Sequence, residues 1–459
     1  MKLTTIHLIS LIVTLGLTML PGIIEARKIK SADDYNVGGR SSGAGMVAGA
    51  IIGTIVGGAA TIGTAQMGFK LGLAAWWFTL GSGIALIIMA LFYAKPLRKS
   101  GLTTISEYLV INYGKGAGPV ASISSAAGIF FSIVASTLTT LHLLAPLFGV
   151  SYFVAAIIMI VIVMGFVVFG GLKGSGLSGI FKLLLIFASI FVGGIIAYNN
   201  MGGLTGMHAN FEPKFFSLVG GGVEKALYSL ASMIIGVIST QTYVQALFSS
   251  KDSKTAMAGC MGAALVVIPV GLPSVVIGMY MRQYYPTINP IEALPMFLLT
   301  QLPEWLGGVG IAALLLSSVG SCGGLALGIG TMMSRDIFKA ILHVEDSKKL
   351  LWINRACVLL ATVLAIIFVF HHLDSLVLDW NYLSMALRGS GVFLPLTFAV
   401  FAPGKIAPRH GFVAMVVGVF VALTYKFFVP TAGNTLFPSL EVSGAILVVA
   451  LIYGILKKK

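Results

Sequence analysis

Charge, and acid above all, is what this sequence has least of. Only 10% of its 459 residues are Asp, Glu, Lys or Arg, and just 15 residues are acidic. A soluble domain carries about 25% charged residues, so that class is excluded. Cysteine is also scarce. Cys260, Cys322 and Cys357 stand without paired or metal-like spacing, which leaves no disulfide framework and no cysteine metal motif. There is no HExxH, GxSxG or Walker-type phosphate loop, and the Gly-rich runs GGVG at 307 and GLALGIG at 324 lie inside apolar segments. An enzyme is therefore not expected. No low-complexity linker interrupts the chain, and a single polytopic domain over 1–459 is expected.

Apolar residues dominate instead. They make up 57% of the chain, and the mean hydropathy is +0.99. Runs of about 20 residues, the length that crosses a bilayer, lie at 5–25, 44–66, 72–94, 119–146, 152–170, 181–198, 225–248, 257–280, 307–333, 352–371, 376–401, 411–429 and 440–456. The sequence thus predicts an all-α integral membrane protein of about thirteen transmembrane helices. The net charge of +14 does not point to nucleic acid, because its carriers alternate along the chain. Of the 29 Lys and Arg residues, 22 fall in every second loop, from Arg27 through Lys95, Arg98, Lys182, Lys251 and Arg335 to Lys457, Lys458 and Lys459. The positive-inside rule makes that side cytoplasmic, with the N-terminus outside and the C-terminus inside a cell (plasma) membrane. The run at 5–25 reads as a cleaved signal peptide or as an extra N-terminal helix; the heavier basic cluster follows it, which favours the uncleaved helix.

With that first run set aside, the next ten divide into five and five, 44–198 and 225–401, followed by two C-terminal helices at 411–456. Five is odd, so the halves cross in opposite senses, as in five-plus-five inverted repeats with broken lead helices. Both lead segments are unusual. GTIVGGAATIGTAQ at 53–66 puts Gly and Thr at bilayer depth. Gly45, Gly49, Gly53 and Gly57 recur every four residues, as a packing ridge would. Gly58, Gly63, Thr54, Thr61 and Thr64 lie on other faces and suit an interrupted helix with free carbonyls for a hard cation. Composition leaves both readings open. The second lead segment carries STQTYVQ at 239–245, and LLLSSVGS at 314–321 adds Ser317, Ser318 and Ser321. A membrane Ser generally bonds its own backbone, whereas an adjacent pair also suits a monovalent cation. Arg388 lies about twelve residues, or ~18 Å at helical rise, inside its segment. Such a costly buried charge reads as the structural partner of a carbonyl or of Asp379, or as the counter-charge of a substrate carboxylate. His142, His371 and His372 near segment ends read as interfacial residues.

DYNVGGR at 34–40, IGTAQMGFKLGLAAWWFTLG at 62–81, AKPLRKSGLTTISEYLVINYG at 94–114, FGGLKG at 169–174, STQTYVQ followed by SSKD, and SRDIF at 334–338 succeed one another along the chain. In these motifs the chain resembles the solute:sodium symporter (SSS) family over most of its length. The resemblance implies a leucine-transporter-type fold with Na+ as coupling ion. Carried over by position, it implies a sodium site from the carbonyls of Gly53, Val56 and Leu314 and the hydroxyls of Ser317 and Ser318. It implies one sodium per cycle, because Gly179 stands where a second site uses an Asp and Gly320 where that site uses a hydroxyl. Lys182, nearby, reads as a lysine snorkelling to the inner surface, or alternatively as an ammonium that replaces a cation and weakens sodium dependence. Sugar-carrying members place large polar side chains where this chain has Gly57, Ala59 and Ala60, which argues against a sugar. The candidate substrate contacts are Ala60, Thr61, Gln241, Thr242, Tyr243 and Arg388. The expected function is sodium-coupled import of a small organic solute by alternating access, leaning to a carboxylate-bearing metabolite or amino acid, with no obligate protein partner. The alternatives are a ligand sensor with the same fold and a carrier that has lost sodium coupling; a channel is disfavoured by the lack of a carbonyl filter or charged ring.

Overall fold

The computed structural model describes residues 3–26, 31–37, 40–164, 171–429 and 436–456. Gly38, Gly39, Phe169 and Gly170 of the family motifs, and the basic residues Lys28, Lys30, Lys457, Lys458 and Lys459, lie outside the described residues. The architecture is a bundle of helices, of which thirteen position the site: α1 (Thr5–Ala26), α2 (Ala44–Ile55), α3 (Thr64–Leu71), α4 (Trp77–Ile88), α5 (Ile105–Tyr113), α6 (Ala117–Phe148), α7 (Gly171–Ile186), α8 (Val223–Ile238), α9 (Gln241–Ser249), α10 (Ser253–Tyr284), α11 (Ala293–Gln301), α12 (Glu304–Met332) and α13 (Val377–Phe401).

Among the described residues nine helices are long and apolar enough to cross a membrane, and α8 with α9, bent by 44°, makes a tenth. The expected spans at 5–25, 44–66 and 152–170 hold shorter apolar helices, Thr5–Thr18, Ala44–Ile55 and Tyr152–Val163. For 44–66 the cause is local, because the segment is interrupted at Val56–Gly58 before a wide helical turn, Ala59–Gly63, leads into α3.

The loops also carry short helices. Thr104 opens α5 with a reciprocal capping box to Glu107. Asp252 caps α10, and the Thr255 N–H that it accepts holds its carboxyl below the usual carboxylate range. α11 packs one face into the bundle, with Leu294, Phe297 and Leu298 fully buried.

α6, α12 and α13 form the centre, and α12 is enclosed almost throughout. α7 lies against α2 at unusually close range. A Cβ at Gly179 would run into the Gly49 carbonyl oxygen and come within 2.9 Å of Gly53 Cα. The Gly49–Gly53 ridge is therefore a real packing surface as well as the lead-in to a break. Since backbone and not a flexible side chain blocks the space, Gly179→Ala is expected to cost about 1–3 kcal/mol, read as a lower thermal unfolding temperature in detergent.

Candidate functional site

The interruption after α2 raises an accounting problem. In an unbroken helix the Gly53, Thr54, Ile55 and Val56 carbonyls would accept the N–H groups four residues on. Here Val56 takes φ −79° and ψ 70°, an inverse γ-turn. The Gly57 N–H bonds the Ile55 carbonyl at 2.8 Å, leaving Gly53, Thr54 and Val56 to find other donors. An unsatisfied carbonyl at bilayer depth costs several kcal/mol, and three side chains meet the need. Ser317 Oγ donates to the Val56 carbonyl at 2.6 Å, Ser321 Oγ donates to the Thr54 carbonyl, and Lys182 Nζ donates to the Gly53 carbonyl at 2.7 Å. Gly57 and Gly58 have to be bare for this approach, since a Cβ at either would collide with Ser321 or with Thr139 of α6.

The two serine-bearing and glycine-bearing stretches therefore meet. Of the expected sodium ligands, Val56 and Ser317 are in direct contact. Ser318 Oγ lies 3.2 Å from Thr139 Oγ1, against Gly58. Leu314 is buried one turn earlier on α12. This set of carbonyl and hydroxyl oxygens fits a hard monovalent cation. Gly53 is engaged differently, because Lys182 does not snorkel. It is 1% exposed and points into the break, so the inner-surface reading is corrected: Gly179 brings α7 so near α2 that the next turn delivers the lysine to Gly53.

A small chamber of about 20 Å³ lies beside the break, lined by Thr54, Gly57, Ala59, Phe78, Ser82, Ser132, Ser136, Tyr243, Ser321, Asn381 and Met385 among others. Tyr243 is the expected substrate contact that lines it. Ala60 is buried outside the lining, and Thr61 Oγ1 bonds back to the Gly57 carbonyl at 3.0 Å. Gln241 and Thr242 turn away. Gln241 donates to the Thr103 carbonyl at 3.0 Å and accepts the Ile105 N–H at 2.9 Å, while Thr242 donates to the Gly324 carbonyl at 3.0 Å. The chamber hydroxyls of Ser132 and Ser136 and the Asn381 amide escaped the sequence reading; their signal was the i, i+4 serine spacing in α6.

Arg388 is fully buried on α13, one turn beyond Met385, and within electrostatic reach of Tyr243. Its Nε and Nη1 have no hydrogen-bond partner among the described residues. Asp379 does not pair with it. Nine residues away on α13, about 13.5 Å at helical rise, Asp379 lines a second space, a vestibule of about 340 Å³, together with Trp77, Lys225, Tyr228 and Tyr382. The edge-to-face pair of Phe78 and Tyr382, with ring centroids 6.4 Å apart, stands between chamber and vestibule. At the opposite, basic end the backbone of Ser42 bridges Ser249 and Lys251, Gln245 ties Asn36 to Thr331, and Asp336 accepts from Thr104 at 2.8 Å and Ser122 at 2.5 Å. That end is closed by polar contacts.

The model of the sodium:solute symporter family matches residues 35–418. The chain belongs to the sodium:solute symporter family. As a member it is a membrane transporter and not an enzyme, and the family's coupling ion is sodium. Among its relatives, the high-affinity choline transporter 1 of Drosophila melanogaster is 25% identical over 78% of this chain and 61% of its own length. The Homo sapiens high affinity choline transporter 1 is 26% identical over 91% of this chain and 76% of its own length. The sodium/sialic acid symporter NanT of Aliivibrio fischeri is 24% identical over 98% and 92%. The chain thus spans less than two thirds of the Drosophila protein. A Na+-coupled sialic acid symporter solved in a substrate-bound outward-open state superposes with a TM-score of 0.83 at 18% identity, covering 99% of this chain and 98% of that one. A nucleobase-cation-symport-1 family transporter gives 0.62 at 13% identity over 92% and 94%. These likenesses establish the shared fold of this symporter.

Proposed function

We propose that this symporter imports a small carboxylate-bearing metabolite or amino acid together with sodium across the cell membrane, by alternating access. The observation that carries the solute class is Arg388, a buried guanidinium with two unpartnered N–H donors next to an otherwise uncharged, hydroxyl-lined chamber. A buried cation without a counter-charge is costly, and a planar carboxylate is the ligand that its fork suits. The same charge disfavours choline, the solute of several relatives, whose quaternary ammonium wants an aromatic cage; sialic acid, the solute of another relative, is itself an acid.

The coupling set is Gly53, Val56, Leu314, Ser317 and Ser318, and the solute contacts are Tyr243 and Arg388 with the chamber hydroxyls. The breaks at Val56–Gly58 and Ser239–Thr240 support an inverted repeat in which 44–198 rocks against 225–401. With the basic end cytoplasmic, the vestibule is the outer entrance and the Phe78–Tyr382 pair is the barrier that solute passes. Sodium at the α2 break and solute in the chamber then favour closure of that entrance and release of the polar ties at the inner end.

The test is uptake by proteoliposomes under an inward sodium gradient, against a panel of carboxylates, amino acids, neutral sugars and choline. Sodium-stimulated uptake of at least one carboxylate, with neutral sugars and choline silent, is the expected result. Flux of choline or of a neutral sugar alone would overturn the solute assignment.

A further inference from the structure

Lys182 is the one amine among the three donors that close the break. A hydroxyl suffices for a carbonyl, as Ser317 and Ser321 demonstrate. Burying an ammonium to do so is expensive unless the site is built for a monovalent cation. The Gly53 carbonyl belongs to such a set of neutral oxygens. Nothing else balances the charge, since among the described residues Lys182 makes no ion pair with a carboxylate and its partner is that carbonyl. The resting position is set by packing: Gly179 admits no side chain, α7 rides on the Gly49–Gly53 ridge, and the lysine one turn on is buried against the break.

We propose that Lys182 is a tethered cation that shares the sodium site, its ammonium holding the Gly53 carbonyl when sodium is absent and leaving it when sodium binds. Two unit charges about 4 Å apart in such surroundings repel by an amount worth roughly a thousandfold in binding, so the site holds one of them at a time. The ammonium keeps the interrupted helix closed without sodium, and every sodium that binds has to displace it. Wild-type sodium affinity is accordingly weaker than the oxygen set alone would give. The proposal rests on sodium as the coupling ion and is independent of which solute is carried.

The experiment measures thermal unfolding of the purified full-length protein across a sodium chloride titration, with potassium chloride holding ionic strength constant. Wild type is compared with Lys182→Met, which keeps length without charge, and Lys182→Gln, which keeps an N–H donor without charge. The expected result is a half-saturating sodium concentration at least tenfold lower in both variants than in wild type. In sodium-free buffer Lys182→Met should also unfold at a lower temperature than wild type, a deficit that sodium closes and potassium does not. Equal or higher half-saturating sodium in the folded variants would overturn the proposal. So would variants indifferent to sodium, or a Lys182→Gln protein that matches wild type. Failure of both variants to fold with sodium present also counts against it, since sodium is proposed to take the ammonium's place. A solute other than a carboxylate would leave these sodium titrations unchanged, so the two readings fail separately.

Discussion

Arg388→Gln is expected to lower carboxylate uptake by roughly thirtyfold to a few thousandfold while sodium still protects the protein against thermal unfolding. The guanidinium is fully buried with two idle donors, and removing one member of a buried charge pair costs about 2–5 kcal/mol, or roughly one and a half to three and a half decades of binding. Stability separates this role from a structural one. If Arg388 held the bundle together, its loss would leave orphaned acceptors and a lower unfolding temperature. Because no carboxylate engages it among the described residues, the glutamine variant instead removes an uncompensated charge and should be at least as stable as wild type in the absence of solute. Arg388→Lys should fall between, keeping charge but losing the bidentate fork. Uptake of the transported acid that survives in Arg388→Gln, measured in proteoliposomes, would sink the counter-charge assignment.

Much of this site was legible because a broken membrane helix needs unusual residues. Gly57, Gly58, Ser317 and Ser318 stand out in one dimension, since Gly and paired Ser are poor choices at bilayer depth for anything but an interruption and its partners. What the pattern could not supply was direction. Gln241 and Thr242 are as polar as Tyr243, but after the bend at Ser239–Thr240 Gln241 ties down Thr103 and Ile105, and Thr242 bonds the Gly324 carbonyl of α12. Lys182 reads as an interfacial lysine by depth alone; its destination depends on how closely α7 approaches α2, a tertiary fact carried by Gly179. The serines of α6 were hidden because membrane serines bond back to their own helix, and Ser136 does so, donating to the Ser132 carbonyl at 3.1 Å while still facing the chamber. The break within 44–66 was hidden because hydropathy runs straight through it.

Ser317→Ala is expected to raise the sodium concentration for half-maximal uptake by ten- to a hundredfold. Its hydroxyl has one proton and two lone pairs. The proton is committed to the Val56 carbonyl at 2.6 Å, so the oxygen presents its lone pairs beside a carbonyl that is itself a proposed ligand. Two of the five proposed sodium oxygens are thereby fixed as a unit, one from each side of the interface between α2 and α12. Alanine removes one and frees the other to reorient, and a bond to a charged partner is worth about 1.5–3 kcal/mol, which sets the expected range. Ser321→Ala provides the control. Ser321 also closes the break, through Thr54, but it lines the chamber, so its loss should raise the solute concentration needed for half-maximal uptake and move the sodium dependence less. If Ser321→Ala shifts the sodium dependence and Ser317→Ala does not, the ion sits on the chamber side of α12, and the coupling set has to be rebuilt around Thr54 and Ser321.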